Sequence, residues 1–113
     1  AMAFEKICTL DDVWEGEMER FHTTDGTGVL IVFPNGGEPI AFQDRCPHQQ
    51  FDLATGKLEN NVLTCRAHLW QFDATTGQGV NPADCRLAIY PTRVDGDDVF
   101  VDVAGIAPAT SHT

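Results

Sequence analysis

The sequence predicts an all-β fold, built as an antiparallel β-sandwich or partly open barrel. Three observations predict it. The apolar segments are short, turn residues separate them at close intervals, and almost no stretch carries a helical period. At 113 residues the chain reads as one domain, long enough for a modest core and too short for a second catalytic unit.

Each element follows from its local pattern. Ala1, Met2 and Ala3 are set aside, with Met2 read as a native start. Residues 4–7 alternate and read as a strand; Thr9 is placed to cap a helical turn over 10–14, with Trp14 directed into the core. Segments 18–23 and 29–33 flank Asp25-Gly26, a hairpin signal, and the turn Pro34-Asn35-Gly36-Gly37 precedes a strand over 40–44, giving a β-meander. His22 has no partner motif and reads as a surface histidine.

From Arg45 the pattern changes to loops: a first loop running through Thr55-Gly56, a turn at Glu59-Asn60-Asn61, and an apolar lead of 62–64 into Cys65. Residues 70–73 and a turn at Thr75-Thr76-Gly77 follow, and residues 79–84 read as a connection with no regularity. Segments 87–94 and 99–103 bracket Asp95-Gly96-Asp97-Asp98 as a closing hairpin, and the tail from Ala107 is expected to be loose.

One pattern carries chemistry. Cys46-Pro47-His48 is followed, with sixteen residues between, by Cys65-Arg66-Ala67-His68. Two thiolates and two imidazoles on separate segments make a complete four-ligand set for zinc or for an iron–sulfur centre. Zinc pairs commonly stand two to four residues apart on a knuckle or three to five apart on a helix, so the Cys-x-His spacing favours iron. The competing structural reading, buried cysteines acting as small hydrophobes beside core histidines, needs two correctly spaced coincidences among four cysteines and four histidines.

With these residues the chain resembles the Rieske family, whose Cys-x-His…Cys-x2-His pattern Cys46, His48, Cys65 and His68 match one for one. Pro47 and the pair Phe72-Asp73 extend the match. The resemblance implies one [2Fe–2S] cluster, with both cysteines on one iron and both histidines on the other. It also implies the Rieske fold: a base formed by 4–44 and 86–104 carrying a cluster-binding subdomain, 45–85, as two loops at the tip. Backbone N–H groups of such loops are suited to hydrogen-bond the sulfides.

The residue types bear on the potential. Two ferric ions, two sulfides and two thiolates sum to zero charge, where four thiolates would leave minus two, so the added electron is less costly. Such centres lie at roughly −150 to +300 mV, against about −400 mV for the all-cysteine plant type. The respiratory branch of the family has a pair of extra cysteines where this chain has Phe51 and Ala67, so that disulfide is impossible here. It also has serine and tyrosine hydroxyls where this chain has Trp70 and Phe72. Fewer donors to the sulfurs point to the low-potential branch of oxygenase ferredoxins.

Composition bounds the rest. Seventeen acidic against seven basic residues give a net charge of −10, which argues against nucleic acid or an anionic membrane as partner. Residues 45–85 are nearly neutral, Arg45, Lys57 and Arg66 standing against Asp52, Glu59, Asp73 and Asp84, so the acidic surface lies mostly elsewhere. No long apolar run and no leader pattern is present, and a cytoplasmic location is expected. Cys8 and Cys85, left over from the ligand set, are expected to be thiols.

The runs Cys65-Arg66-Ala67-His68-Leu69-Trp70 and Gly79-Val80-Asn81-Pro82, with the opening Phe4-Glu5-Lys6-Ile7-Cys8, look most like the ferredoxins of toluene and related aromatic monooxygenases. That resemblance implies an electron carrier with no substrate chemistry of its own, which accepts single electrons from an NAD(P)H-dependent flavoprotein reductase. It implies delivery to a di-iron hydroxylase. A ferredoxin of a ring-hydroxylating dioxygenase is the near alternative, and a zinc-stabilised binding module the remote one. Docking is expected at the tip, through Pro47, Gln49, Gln50, Leu69 and Trp70.

Overall fold

The computed structural model describes residues 4–47, 52–66, 69–81 and 85–106. Among these the chain forms β1 (Glu5–Thr9), β2 (Met18–His22), β3 (Gly28–Val32), β4 (Ile40–Gln43), a 3-10 turn (Leu53–Thr55), β5 (Lys57–Glu59), β6 (Val62–Thr64), β7 (Gln71–Asp73), β8 (Gly79–Asn81), β9 (Ile89–Tyr90), β10 (Thr92–Asp95) and β11 (Asp98–Val101). The strands make three antiparallel sheets, in the orders β1-β11-β10, β2-β3-β4-β9 and β5-β6-β7-β8. The all-β prediction holds.

The second sheet lies between two interiors. Its strand β3 reads Gly-Val-Leu-Ile-Val, a continuous apolar run, and a strand of that kind suits burial on both faces. Leu30 and Val32 join Phe42, Leu53, Leu63, Phe72, Ala74 and Leu87 in one core, together with Cys46, Cys65 and Cys85. Val29 and Ile31 join Cys8, Val13, Ala41, Tyr90, Val99 and Val101 in the other. The register agrees, since Leu30 pairs with Phe42 and Ile31 with Ala41, and cross-strand partners share a face.

The predicted hairpins form. Met18 to His22 pair with Val32 to Gly28 around the Asp25-Gly26 turn, where Asp25 Oδ1 accepts from the Thr27 N–H at 3.1 Å and from its hydroxyl at 2.8 Å. Between β5 and β6, Asn60 and Asn61 both have positive φ, 50° and 61°, the backbone that a tight two-residue hairpin turn asks for and that asparagine tolerates. Asn61 Oδ1 also accepts from the Asn35 N–H at 2.8 Å, tying this turn to the one after β3.

Four expectations are corrected. No helical turn forms over 10–14: the Asp12 carboxylate accepts from the Thr9 N–H at 2.8 Å and from its hydroxyl at 3.2 Å, so Asp12 rather than Thr9 supplies the capping oxygen of an ordinary turn. Trp14 is 66% exposed, and Val13 takes the core position. Segment 87–94 is two strands, because the chain changes sheets at Pro91: β9 pairs with β4 and β10 with β11. Residues 79–81, read as irregular, pair with β7 across a register shift and make a strand. The expectation for the tail from Ala107 lies outside the described residues.

Candidate metal centre

Two chain reversals carry the predicted ligands. In the first, β4 ends at Gln43, Arg45 bridges antiparallel to Asp52, and the Leu53 N–H donates to the Asp44 carbonyl at 2.6 Å. The chain therefore leaves and returns at one point, with Cys46 just past the stem and buried. The buried Gln43 side chain holds that stem from inside: its Nε2 donates to the Arg45 carbonyl at 2.6 Å and its Oε1 accepts from the Ala88 N–H at 2.8 Å. On the returning side the 3-10 turn closes with the Gly56 N–H on the Leu53 carbonyl at 3.0 Å.

The second reversal extends the β6–β7 ladder. Thr64 pairs with Gln71, and the Cys65 N–H donates to the Trp70 carbonyl at 2.6 Å, so the chain turns back between them. Leu69 occupies the left-handed region at φ 54°, a conformation that costs a branched side chain energy and persists where tertiary structure dictates it. The two reversals meet at Gly56. A Cβ there would stand 2.1 Å from the Thr64 carbonyl oxygen, closer than any real contact, so only glycine lets the stem of the first approach the strand leading into Cys65.

Cys46 and Cys65 lie in one core, 1% and 0% exposed, against Leu53 and Leu63. Beside Cys65 opens an apolar recess of about 260 Å³, lined by Thr55, Gly56, Lys57, Thr64, Cys65, Arg66 and Leu69. His48 and His68, with Gln49 and Gln50, lie outside the described residues. Of the other expected docking residues, Leu69 is 68% exposed, Trp70 is half-buried against the core, and Pro47 is buried. Cys8 and Cys85 are both buried, Cys85 in the core that holds Cys46 and Cys65 and Cys8 in the opposite one, and neither is in a disulfide. Burial first, then Asp12 and Glu19, push the Cys8 thiol up to about 11.

A charged group at the first stem escaped sequence reasoning. Arg20 Nη1 lies 2.6 Å from Asp52 Oδ2 and 3.3 Å from Asp44 Oδ2, and Arg45 Nε lies 3.5 Å from Asp52 Oδ1. Burial pushes the Asp44 carboxyl above its usual range, against the pull of Arg20, while Asp52 and then Asp44 raise the Arg20 guanidinium. The available signal was weak: Arg20 alternates in register with Met18 on a strand otherwise read as plain meander.

The residues present fit a Rieske cluster. Two dry thiols stand on adjoining stems, and past the second of them the chain reaches the surface at Leu69. Residues 3–91 match the model of the Rieske [2Fe–2S] domain. The chain is 40% identical over 96 residues, 84% of its length and 77% of the relative's, to the ferredoxin component of the alkene monooxygenase system of Xanthobacter autotrophicus. It is 39% identical over 105 residues, 92% of its length and 96% of the relative's, to the ferredoxin component of biphenyl 2,3-dioxygenase of Rhodococcus jostii. Among solved structures, the ferredoxin of carbazole 1,9a-dioxygenase from Nocardioides aromaticivorans superposes with a TM-score of 0.76 at 25% identity, over 96% of this chain and 99% of that one.

The cofactor is thus one Rieske-type [2Fe–2S] cluster, which sets the zinc reading aside and makes the chain a one-electron carrier rather than an enzyme. Buried thiols on two converging stems and a family match over residues 3–91 lead to one conclusion: the chain belongs to the Rieske [2Fe–2S] domain family.

Proposed function

We propose that this protein is the ferredoxin component of a bacterial multicomponent monooxygenase of the toluene type. It takes single electrons from an NAD(P)H-dependent flavoprotein reductase and passes them to a di-iron hydroxylase in the cytoplasm. The observation that carries the reading is the pair of buried thiols, Cys46 and Cys65, at the stems of two reversals beside an exposed Leu69. Cys46 and Cys65 bind one iron, His48 and His68 the other. The cluster supplies a one-electron couple, and the chain keeps its thiolates dry. Residues 45–85 form the cluster-binding subdomain on a base of 4–44 and 86–104.

Partners dock on the tip. Leu69 offers an apolar anchor, Pro47, Gln49, Gln50 and Trp70 are the other contacts of this docking face, and the nearly neutral 45–85 segment is less costly to desolvate than the acidic remainder. Among the described residues no helix is long and apolar enough to cross a membrane, which is compatible with this setting.

The second reading, a dioxygenase ferredoxin, is favoured by the biphenyl dioxygenase relative, which matches over more of both chains. An NADH-driven assay with purified reductase and either a di-iron hydroxylase or a Rieske dioxygenase component separates the two. The proposal expects turnover with the di-iron enzyme. Turnover with the dioxygenase alone would replace it by the second reading.

A further inference from the structure

The ion cluster at the first stem has a geometry that electron transfer alone does not require. Arg20 stands on β2, paired with Leu30, which in turn pairs with Phe42, so it projects from the same face of the middle sheet as the core of the two ligand cysteines. From there one nitrogen, Nη1, meets both Asp44 and Asp52. Asp44 precedes Cys46 by two residues, and Asp52 closes the same reversal against Arg45. One guanidinium, reaching from β2 past β3, thus ties together both ends of the segment that holds Cys46 and His48. The two carboxylates differ: the Asp52 side chain is a third exposed, whereas that of Asp44 is 3% exposed with its Oδ1 lacking a hydrogen-bond partner. Without Arg20, a buried negative charge would face a second one across the mouth of the loop, and like charges so placed push apart.

We propose that Arg20 is a positioning residue for the cluster: by bridging Asp44 and Asp52 it holds the first ligand loop closed, and so governs how long the cluster is retained and how uniform its surroundings are. The inference rests on the reading of Cys46 and His48 as ligands. It differs from a general contribution to stability because the bridge spans the loop ends and not two strands of one sheet. The Lys6–Asp98 pair, 3.2 Å apart and half-exposed between β1 and β11, is of that other kind and serves as the control.

The test uses cluster-loaded full-length protein mixed with an excess of a ferrous-iron chelator. Loss of visible absorbance gives the rate of cluster release, and EPR of the dithionite-reduced protein gives the line widths. Arg20→Gln should release the cluster about tenfold faster, the scale of 1.4 kcal/mol, with broadened lines. Arg20→Lys, which keeps a cation with less reach, should fall between it and the parent, and Lys6→Gln should stay near the parent rate. Parental rates and line widths in Arg20→Gln would overturn the proposal, as would an equal acceleration in Lys6→Gln. Should Arg20→Gln not fold, Asp52→Asn decides, since it opens the loop-closing pairs while leaving Asp44 its cation; faster release supports the clamp and an unchanged rate overturns it. If Cys46→Ala or His48→Ala kept an unaltered cluster, the ligand reading would fail instead, whatever the Arg20 variants did.

Discussion

Leu30 and Ile31 are neighbours on β3, both fully buried, and they face two different interiors. Leu30 looks into a core that contains Cys46, Cys65 and Cys85 and is roofed by the short strands β5 to β8. Ile31 looks into a core closed by β1, β10 and β11, with Tyr90, Val99 and Val101. Equal burial therefore serves unequal purposes. The second core is sheet against sheet and holds the fold, whereas the first also sets the floor under the loops that carry the proposed ligands, whose own strands are three residues long and could not stand alone.

The largest effect that tests this division is loss of the centre itself. Alanine at Cys46, His48, Cys65 or His68 should abolish the native cluster, measured as two irons and two labile sulfides together with the visible spectrum. Cys8→Ser, in the opposite core, and Cys85→Ala, in the same core, should leave the spectrum nearly unchanged. Bleaching in Cys85→Ala would mean that the thiols of the first core have been assigned wrongly.

Next comes Gly56→Ala. Its Cβ would meet the Thr64 carbonyl at 2.1 Å, and because the obstacle is backbone, relief requires the two stems to separate. Overpacking of this kind costs about 1–3 kcal/mol, and here it should appear mainly as a low iron content in a protein that still folds. A fully loaded variant with parental thermal stability would show that the stems tolerate separation.

The sharpest comparison is Leu30→Ala against Ile31→Ala. Each should lower the unfolding free energy by about 2–5 kcal/mol, read from urea titrations. Only Leu30→Ala should also speed release of the cluster to a chelator at concentrations far below the unfolding transition. Equal acceleration by both would merge the two cores into one functional unit.

A smaller effect is expected on potential. Trp70 packs against the first core and Phe72 is fully buried within it, so Trp70→Ser with Phe72→Tyr adds hydroxyls at and within the core that holds Cys46 and Cys65. Each that donates to a sulfur stabilises the added electron, and the potential should rise by some tens of millivolts, where about 59 mV is a tenfold change for one electron. Protein-film voltammetry measures it; no change or a fall, with the cluster intact, would place these side chains out of reach of the sulfurs.

The smallest effect belongs to the other core. The Cys8 thiol, raised to about 11 from an ordinary value of 9, binds its proton more tightly folded than unfolded. Its contribution is complete below pH 9 and is lost as pH rises from 9 towards 11. Parent protein should therefore lose more thermal stability over that interval than Cys8→Ala does. Parallel melting curves would show that Cys8 titrates as it does in the unfolded chain.

What the sequence determined by itself is local. Short runs bounded by turn residues mark β2, β3, β4 and β6, since such a run and a tight turn's backbone are properties of neighbouring residues. The ligand spacing is equally local, and it named the family without any fold. Tertiary structure decided what depends on partners distant in the chain. Val13 rather than Trp14 enters the core because the turn at Thr9–Asp12 is aimed by its surroundings, a choice that hydrophobicity would make the other way. β8 is a strand because β7 offers it a ladder, and the apolar run around Pro91 is cut in two because its halves pair with different sheets. The Arg20–Asp44 contact joins residues 24 apart, one on β2 and one just past β4 with β3 between the two strands, and nothing in the neighbourhood of either announces the other. Burial of Asp44 makes that contact consequential, and burial exists only once the sheets have packed.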